Sequence, residues 1–192
     1  MRKRINAKSR KRFFIIISLL LITLIASAGT LAWVTATSGP VENQFEAGSV
    51  IPYINEDFNN ETKSNVTVTN NGNCAGYIRA AIIPTWGSYN EDGKFTAVSK
   101  KASLNDLNIT FGSDNWKRAK DGYYYYIKPV PAGMTTEKLI DTATVSTIED
   151  SYQMNLQIVI DSIQAEPCST VLSQWKQVTA VAEDGTLTVQ QN

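Results

Sequence analysis

The amino-acid sequence predicts an all-β protein built as an antiparallel β-sandwich. In the segment from Tyr152 to Ile160, apolar and polar residues alternate except at Val159, which is the period of a strand with one buried face. Similar short segments recur along the chain, and polar turns separate them. Only one short segment has helical spacing. Antiparallel strands that each have one apolar face bury those faces when two sheets pack together.

The first 32 residues are predicted to be an export signal that precedes the sandwich. Seven of the 18 basic residues lie in residues 1–12, and an apolar segment, the predicted signal helix, follows over residues 13–28. The basic residues hold the N-terminus inside while the apolar segment inserts into the membrane. The alternative is a retained anchor, because the segment from Phe13 to Trp33 is just long enough to span a bilayer of about 30 Å.

Small residues near the end of this segment favour processing over retention. Thr30 and Ala32 suit the two narrow pockets of a signal peptidase, so cleavage is predicted between Ala32 and Trp33. Cleavage after Ala28 or Ala36 is the alternative.

Removal of the signal is expected to leave an acidic protein. No acidic residue precedes Glu42, so residues 33–192 retain 11 basic and all 18 acidic residues, a net charge of about −7. Such a surface repels nucleic acid and anionic lipid. We therefore expect no nucleic-acid partner, and a membrane contact only through the signal before cleavage.

The remaining chain is long enough for one domain, predicted at residues 41–192, after an N-terminal extension at 33–40 that ends at Pro40. Besides Tyr152 to Ile160, six segments are predicted strands: Gln44 to Ile54, Ser64 to Thr69, Tyr77 to Ile83, Leu107 to Phe111, Tyr123 to Lys128 and Thr142 to Ile148.

Two of the connections have a predicted geometry. The segments at 64–69 and 77–83 are expected to be neighbouring strands, because a short turn-rich stretch joins them. Trp116 to Val130 is expected to be a hairpin around Lys120, Asp121 and Gly122, with two of its four consecutive tyrosines on each face of the sheet.

The one helix predicted within the sandwich domain lies near the C-terminus, at about Thr170 to Gln177. Ser169 is its expected N-cap, and Val171, Leu172 and Trp175 have helical spacing. The polar ending, residues 186–192, is expected to be either a last short strand or a disordered tail.

Two cysteines, Cys74 and Cys168, are candidates for a disulfide. The bond would close a loop of about 94 residues, worth about 4 to 5 kcal/mol in the chain-entropy model. Two free thiols are the alternative. Without a Cys-x-x-Cys pair or a histidine, the cysteines do not predict a metal site.

The absence of histidine excludes a Ser-His-Asp triad, a Cys-His dyad and a histidine-based zinc site. Paired carboxylates occur at Glu56–Asp57 and three later positions, and all are expected to lie in turns. A loosely held calcium ion at Glu56, Asp57, Asn59 and Asn60 is a weaker alternative, since the spacing matches no calcium loop. We therefore predict no catalytic residues, no cofactor and no metal.

Arg79 stands out because it shares a face with Tyr77 and Ala81 in an otherwise apolar strand. It is a candidate for an ion pair or a stacking contact at a subunit interface. The alternative is an arginine whose stem lies along the sandwich and whose head meets water or an internal carboxylate.

Four segments, taken in order, resemble the TasA/CalY (camelysin-like) family: Gly29 to Thr35, Asn43 to Val50, Val66 to Trp86, and Asp161 to Glu166 followed by Trp175. The resemblance implies a jelly-roll or immunoglobulin-like sandwich, exported in Gram-positive bacteria through a signal peptidase of the SipW type. Family members lie on the cell surface or in the biofilm matrix, often as filaments. Part of the family has been described as metalloprotease-like, and this chain lacks the residues for that activity.

The resemblance also implies how subunits join, because in such filaments the freed N-terminal segment pairs with the sheet of the next subunit. The donor strand here would be Trp33, Val34, Thr35, Ala36 and Thr37, with Trp33 as its anchor; Val34 stands where relatives often have a second aromatic residue. The alternative is that this segment folds back on its own domain. We expect a structural subunit of a surface or matrix fibre, or alternatively a monomeric surface module that binds carbohydrate or protein.

Overall fold

The computed structural model describes residues 16–20, 47–59, 61–146 and 151–191. The chain forms two compact units, Met1–Glu46 and Ala47–Asn192. In the first unit the described residues, 16–20, form an exposed helical segment, α1. The rest of the predicted signal, its cleavage positions and the extension at 33–40 lie outside the described residues. Within the described ranges, none of the helices has the length and apolar character needed to cross a bilayer.

The described part of the second unit contains eleven strands, one short 3-10 helix (Leu104–Asp106) and one α-helix. The strands are β1 (Pro52–Asn59), β2 (Thr62–Asn70), β3 (Gly76–Tyr89), β4 (Phe95–Ala97), β5 (Leu107–Phe111), β6 (Trp116–Arg118), β7 (Tyr124–Val130), β8 (Ile140–Val145), β9 (Gln153–Gln164), β10 (Val178–Val181) and β11 (Leu187–Val189), and the α-helix is α2 (Ser169–Gln174).

Two antiparallel sheets pack face to face, which confirms the predicted all-β sandwich. The first sheet has the strand order β1-β2-β8-β5. In the second sheet β3 is central, with β9 along one side and β4 and β7 along the other; β6 lies outside β7. Apolar side chains of both sheets form the inner core, including Val66 and Ile140 from the first and Ile78, Tyr124 and Ile158 from the second.

A third layer, which the sequence did not predict, covers the outer face of the second sheet. Helix α2 and the β10–β11 hairpin pack there and form an outer core with Tyr77, Tyr125 and Ala165. Trp175 and Leu187 are the large buried residues that this C-terminal module contributes. The polar ending is therefore a strand, β11, through Val189.

The tyrosine hairpin is confirmed. Trp116 of β6 pairs with Tyr126 of β7, and Gly122 has the positive φ of 88° that the turn requires. Tyr124 and Tyr126 point into the inner core, whereas Tyr123 and Tyr125 contact the outer core.

The predicted pairing of the segments at 64–69 and 77–83 is wrong. β2 pairs with β1 and β8, and β3 belongs to the other sheet. The cause is Asn70, whose buried side chain holds the turn so that the chain crosses between sheets. Its amide Nδ2 donates to the carbonyl oxygens of Cys74 (2.8 Å) and Val130 (3.0 Å), and its Oδ1 accepts from the N–H of Gly72 (3.0 Å).

Several predicted boundaries differ from the observed ones. The strand expected at 44–54 is observed as β1, which begins at Pro52 and continues through the polar residues to Asn59. The helix expected at 170–177 is α2, which is shorter, and Cys168 rather than Ser169 is its N-cap. The strand expected at 142–148 begins two residues earlier, at Ile140. Pairing to neighbouring strands extends β3 and β9 well beyond their alternating segments.

Candidate functional site

An open groove lies between the free edges of β1 and β9. Among the described residues, β1 pairs only with β2 and β9 pairs only with β3, so each is an edge strand. The groove between them has a volume of about 730 Å³, and residues from Tyr53 to Asp57 and from Asn155 to Ile158 line it. It is therefore an elongated site with a strand edge on each side.

The β9 edge is long, free of bulges and nearly uncharged. Its twelve residues pair with β3 in one unbroken register, from Gly76 opposite Gln164 to Gly87 opposite Gln153, without a bulge. It contains no proline and no basic residue, and Asp161 is its only charge. Proteins usually protect exposed edges with lysine, proline, bulges or shortness, because an unprotected edge accepts another strand. β9 lacks all of these protections.

The other edges of the described sandwich carry such protection. β4 and β6 have three residues each, and β6 includes Lys117 and Arg118. An isolated bridge between Ala119 and Gln191 covers the chain immediately after β6. β5 has an irregular register at its end, and β1 has a bulge between Asn55 and Asp57. The contrast marks β9 as the edge most open to strand addition.

The β1 wall of the groove is polar and internally paired. Glu56 accepts from Lys63 at 2.6 Å, and Asp57 accepts from the side-chain amide of Asn65 at 2.8 Å. The Glu56–Asp57 pair lies inside β1 rather than in the expected turn, and its two side chains contact different residues of β2. No group of three metal-ligating side chains occurs among the described residues.

A second pocket, lined by apolar and charged side chains, adjoins the groove. It has a volume of about 220 Å³ and shares Glu56, Lys63, Asn155 and Leu156 with the groove. Phe58 and Tyr89 line its mouth and are 73% and 50% exposed, and Met154 lies further in. The pocket, which we call the end pocket, offers a site for a large apolar side chain.

The segment 47–51 is fastened to the domain at the opposite end of β9. The N–H of Ser49 donates to Asn73 Oδ1 (2.7 Å), and the N–H of Asn73 donates back to the Ser49 carbonyl oxygen (3.0 Å). The side-chain amide of Gln164, the last residue of β9, donates to the carbonyl oxygen of Gly48. This segment, which we call the strap, is thereby held against the sandwich beside the last residue of β9.

Arg79 lies on the outer face of β3 at the centre of a polar cluster. Its Nε and Nη2 donate to Asp161 Oδ2 (3.0 and 2.8 Å), and its Nη1 donates to the Tyr125 hydroxyl (3.0 Å), which in turn donates to Asp121 (2.7 Å). Burial lowers the pKa of Arg79, but these hydrogen bonds outweigh it and raise the pKa. Burial and the bond to Asp121 raise the pKa of Tyr125 to about 12. Arg79 thus meets internal carboxylates, and its role at a subunit interface stays a prediction.

The two cysteines are free thiols in the structure. Cys74 is half-buried beside Gly48 of the strap, and Cys168 is exposed at the start of α2. The disulfide stays a prediction.

Sequence reasoning missed the groove and the β9 edge. The only local signal was the lack of charge and proline from residue 153 to residue 160, but that signal does not tell an edge strand from a central one. No family model, curated protein or solved structure matches this chain. The observed class is an all-β sandwich in which, among the described strands, the edge of β9 is unprotected, and the resemblance to the TasA/CalY family stays a prediction.

Proposed function

We propose that this protein is a secreted, non-catalytic structural subunit of a bacterial cell-surface or biofilm-matrix fibre. Subunits assemble when the N-terminal segment of one, freed by a signal peptidase of the SipW type, adds as a strand to the next. The product is a homo-oligomeric filament. Its partners are the signal peptidase and other copies of the same chain.

The observation that carries this proposal is the unprotected β9 edge beside the groove. An added strand satisfies the free backbone groups of an edge and inserts alternate side chains between the sheets. The inward side chains of β9 at the groove, Leu156 and Ile158, are nearly buried in the inner core, and the side chains of Asn155 and Gln157 line the groove beside them.

Trp33 is the proposed anchor of the donor strand. Transfer of an indole from water to an apolar site lowers the free energy by about 2 to 3 kcal/mol. The end pocket supports this assignment, because Phe58 and Tyr89 are exposed there and a stacked or edge-on aromatic ring covers them.

A non-catalytic role is supported by the lack of histidine in the chain and by the pairing of the groove carboxylates with Lys63 and Asn65.

The alternative is a monomeric surface module that binds carbohydrate or protein in the same groove. Tyr53 favours it, since this ring is 59% exposed beside the amides of Asn155 and Gln157. Aromatic faces flanked by amides are suited to bind sugars. Concentration dependence separates the two functions, because only a fibre subunit assembles linearly without a ligand.

Deletion of residues 33–39 tests the proposal in the processed chain. A donor of this length makes about four backbone hydrogen bonds at about 1 kcal/mol each, so its removal should abolish fibres while the sandwich stays folded. Fibres that persist after the deletion exclude strand donation.

A matched pair of substitutions refines this test. Thr35→Pro removes one backbone donor and should raise the concentration needed for assembly about tenfold, whereas Thr35→Ser should leave it unchanged. Equal behaviour of the two variants contradicts a hydrogen-bonded strand.

A further inference from the structure

The last residues of β9 differ from the rest of its free edge. Asp161 Oδ1 accepts from the backbone N–H of Ser162 at 2.9 Å, so this N–H already has a partner within its own chain. Two residues further, Gln164 is held by the strap through the Gly48 carbonyl oxygen. The groove, in contrast, reaches β9 at residues 155–158.

Arg79 determines how Asp161 is oriented. Arg79 and Asp161 are direct cross-strand partners, and both Nε and Nη2 of the guanidinium donate to the same oxygen, Oδ2. The other oxygen, Oδ1, is thereby left to Ser162. A forked guanidinium can hold a carboxylate in one orientation, which a lysine ammonium cannot do.

The guanidinium itself contacts two aromatic rings. Its central carbon lies 4.4 Å from the centroid of the Tyr123 ring and 4.9 Å from the centroid of the Trp175 ring. Tyr125 adds a hydrogen bond at 3.0 Å from the neighbouring strand β7. Arg79 is therefore fixed by the second sheet and by the C-terminal module together.

We propose that Asp161, positioned by Arg79, is a stop that ends the strand-accepting edge of β9 and so sets the register of the added strand. This inference rests on the proposed function, since it concerns the same edge. The open part of the edge then runs from Gln153 to Ile160, eight residues, which is long enough for the seven residues from Trp33 to Gly39. A donor that shifts beyond Ile160 meets an N–H that is already occupied and the strap.

Hydrogen exchange of fibres against the unassembled protein tests the stop. In the unchanged protein, amides of residues 153–160 should exchange more slowly in fibres, while those of residues 162–164 should not change. In fibres of Asp161→Ala, the protection should extend to the amide of Ser162, because that N–H is then free to bond to the added strand. Its exchange should be about tenfold slower, since one added hydrogen bond of about 1.4 kcal/mol changes an equilibrium constant tenfold.

Two variants keep the test decisive. Asp121→Ala removes the other carboxylate of the Arg79 cluster without touching β9, so its fibres should keep the unchanged protection boundary. Arg79→Lys keeps the positive charge but loses the paired donors of the guanidinium, so it should extend the protected residues to Ser162 as Asp161→Ala does. Arg79→Lys therefore replaces Asp161→Ala in the test if Asp161→Ala fails to fold.

The outcomes separate the two proposals. Fibres of the unchanged protein that protect the whole of residues 153–164 overturn the stop but leave strand donation intact. The stop is also overturned if the protection boundary moves as far in Asp121→Ala as in Asp161→Ala. Absence of fibres overturns the proposed function, and the stop with it.

Discussion

Asn70 is the side chain whose loss should disturb the fold most for its size. It is fully buried, and besides its bonds to Gly72, Cys74 and Val130 it accepts from the N–H of Ile51 at 3.3 Å. Four bonds at a net value of about 1 kcal/mol each predict that Asn70→Ala lowers the free energy of unfolding by about 4 kcal/mol. For a domain of this size that corresponds to a fall in Tm of roughly 10 °C.

A second substitution at the same position separates the amide's donors from its acceptor. Asn70→Asp keeps an oxygen for Ile51 and Gly72 but turns the other toward the carbonyl oxygens of Cys74 and Val130. Burial and that repulsion raise the pKa of the new carboxyl. Because a carboxyl with a raised pKa is most favourable below its unfolded pKa of about 3.9, the deficit in stability should shrink as the pH falls toward 4.

Chemical denaturation of Asn70→Ala, Asn70→Asp and the control Asn71→Ala measures these effects. Asn71 lies in the same turn with an exposed side chain, so its substitution should change stability by less than about 0.5 kcal/mol. A cost below about 1 kcal/mol for Asn70→Ala would refute the reasoning that Asn70 holds the crossing between sheets. So would a deficit of Asn70→Asp that does not depend on pH.

Three further predictions concern the strap, the outer core and the open edge. Gly72→Ala places a Cβ on the Ser49 carbonyl oxygen, so it should lower the free energy of unfolding by about 1 to 3 kcal/mol and speed proteolysis at residues 47–51. An unchanged rate of cleavage would contradict the conclusion that the strap is held against the domain. The pKa of Tyr125 is raised from 10.0 to about 12, so its contribution to stability is present below pH 10 and is lost as the pH rises toward 12. Tyr125→Phe should remove this loss of stability, which alkaline denaturation curves measure. Gln157→Lys adds a charge to the exposed β9 edge and should suppress fibres without changing Tm, whereas the uncharged Gln157→Asn should assemble normally.

Local pattern predicted individual strands better than their partners. The alternation from Tyr152 to Ile160 and the four tyrosines each encode which side chain faces which core, so β9 and the β6–β7 hairpin were predicted well. Whether β2 pairs with β3 depends on the path of the turn at Asn70, and that path depends on contacts with Ile51 and Val130, which lie far away in sequence.

The candidate site was harder to predict for a related reason. An edge strand and a central strand have the same alternation, so only the topology reveals that β9 has a free side. The helix of the C-terminal module was predicted, but its packing on the second sheet was not, because the apolar residues of the module, such as Val171, Trp175 and Leu187, are spread over several short segments. Arg79 was recognised from its apolar surroundings, but its partner Asp161 lies 82 residues away.

The most direct test of the proposed fibre subunit is to recover the protein from the surface of its cells and determine its intact mass, N-terminal sequence and appearance by negative-stain microscopy. Fibres whose chains begin near Trp33 are the expected result. A monomer that retains Met1 would contradict it and would direct attention to what the groove between β1 and β9 binds.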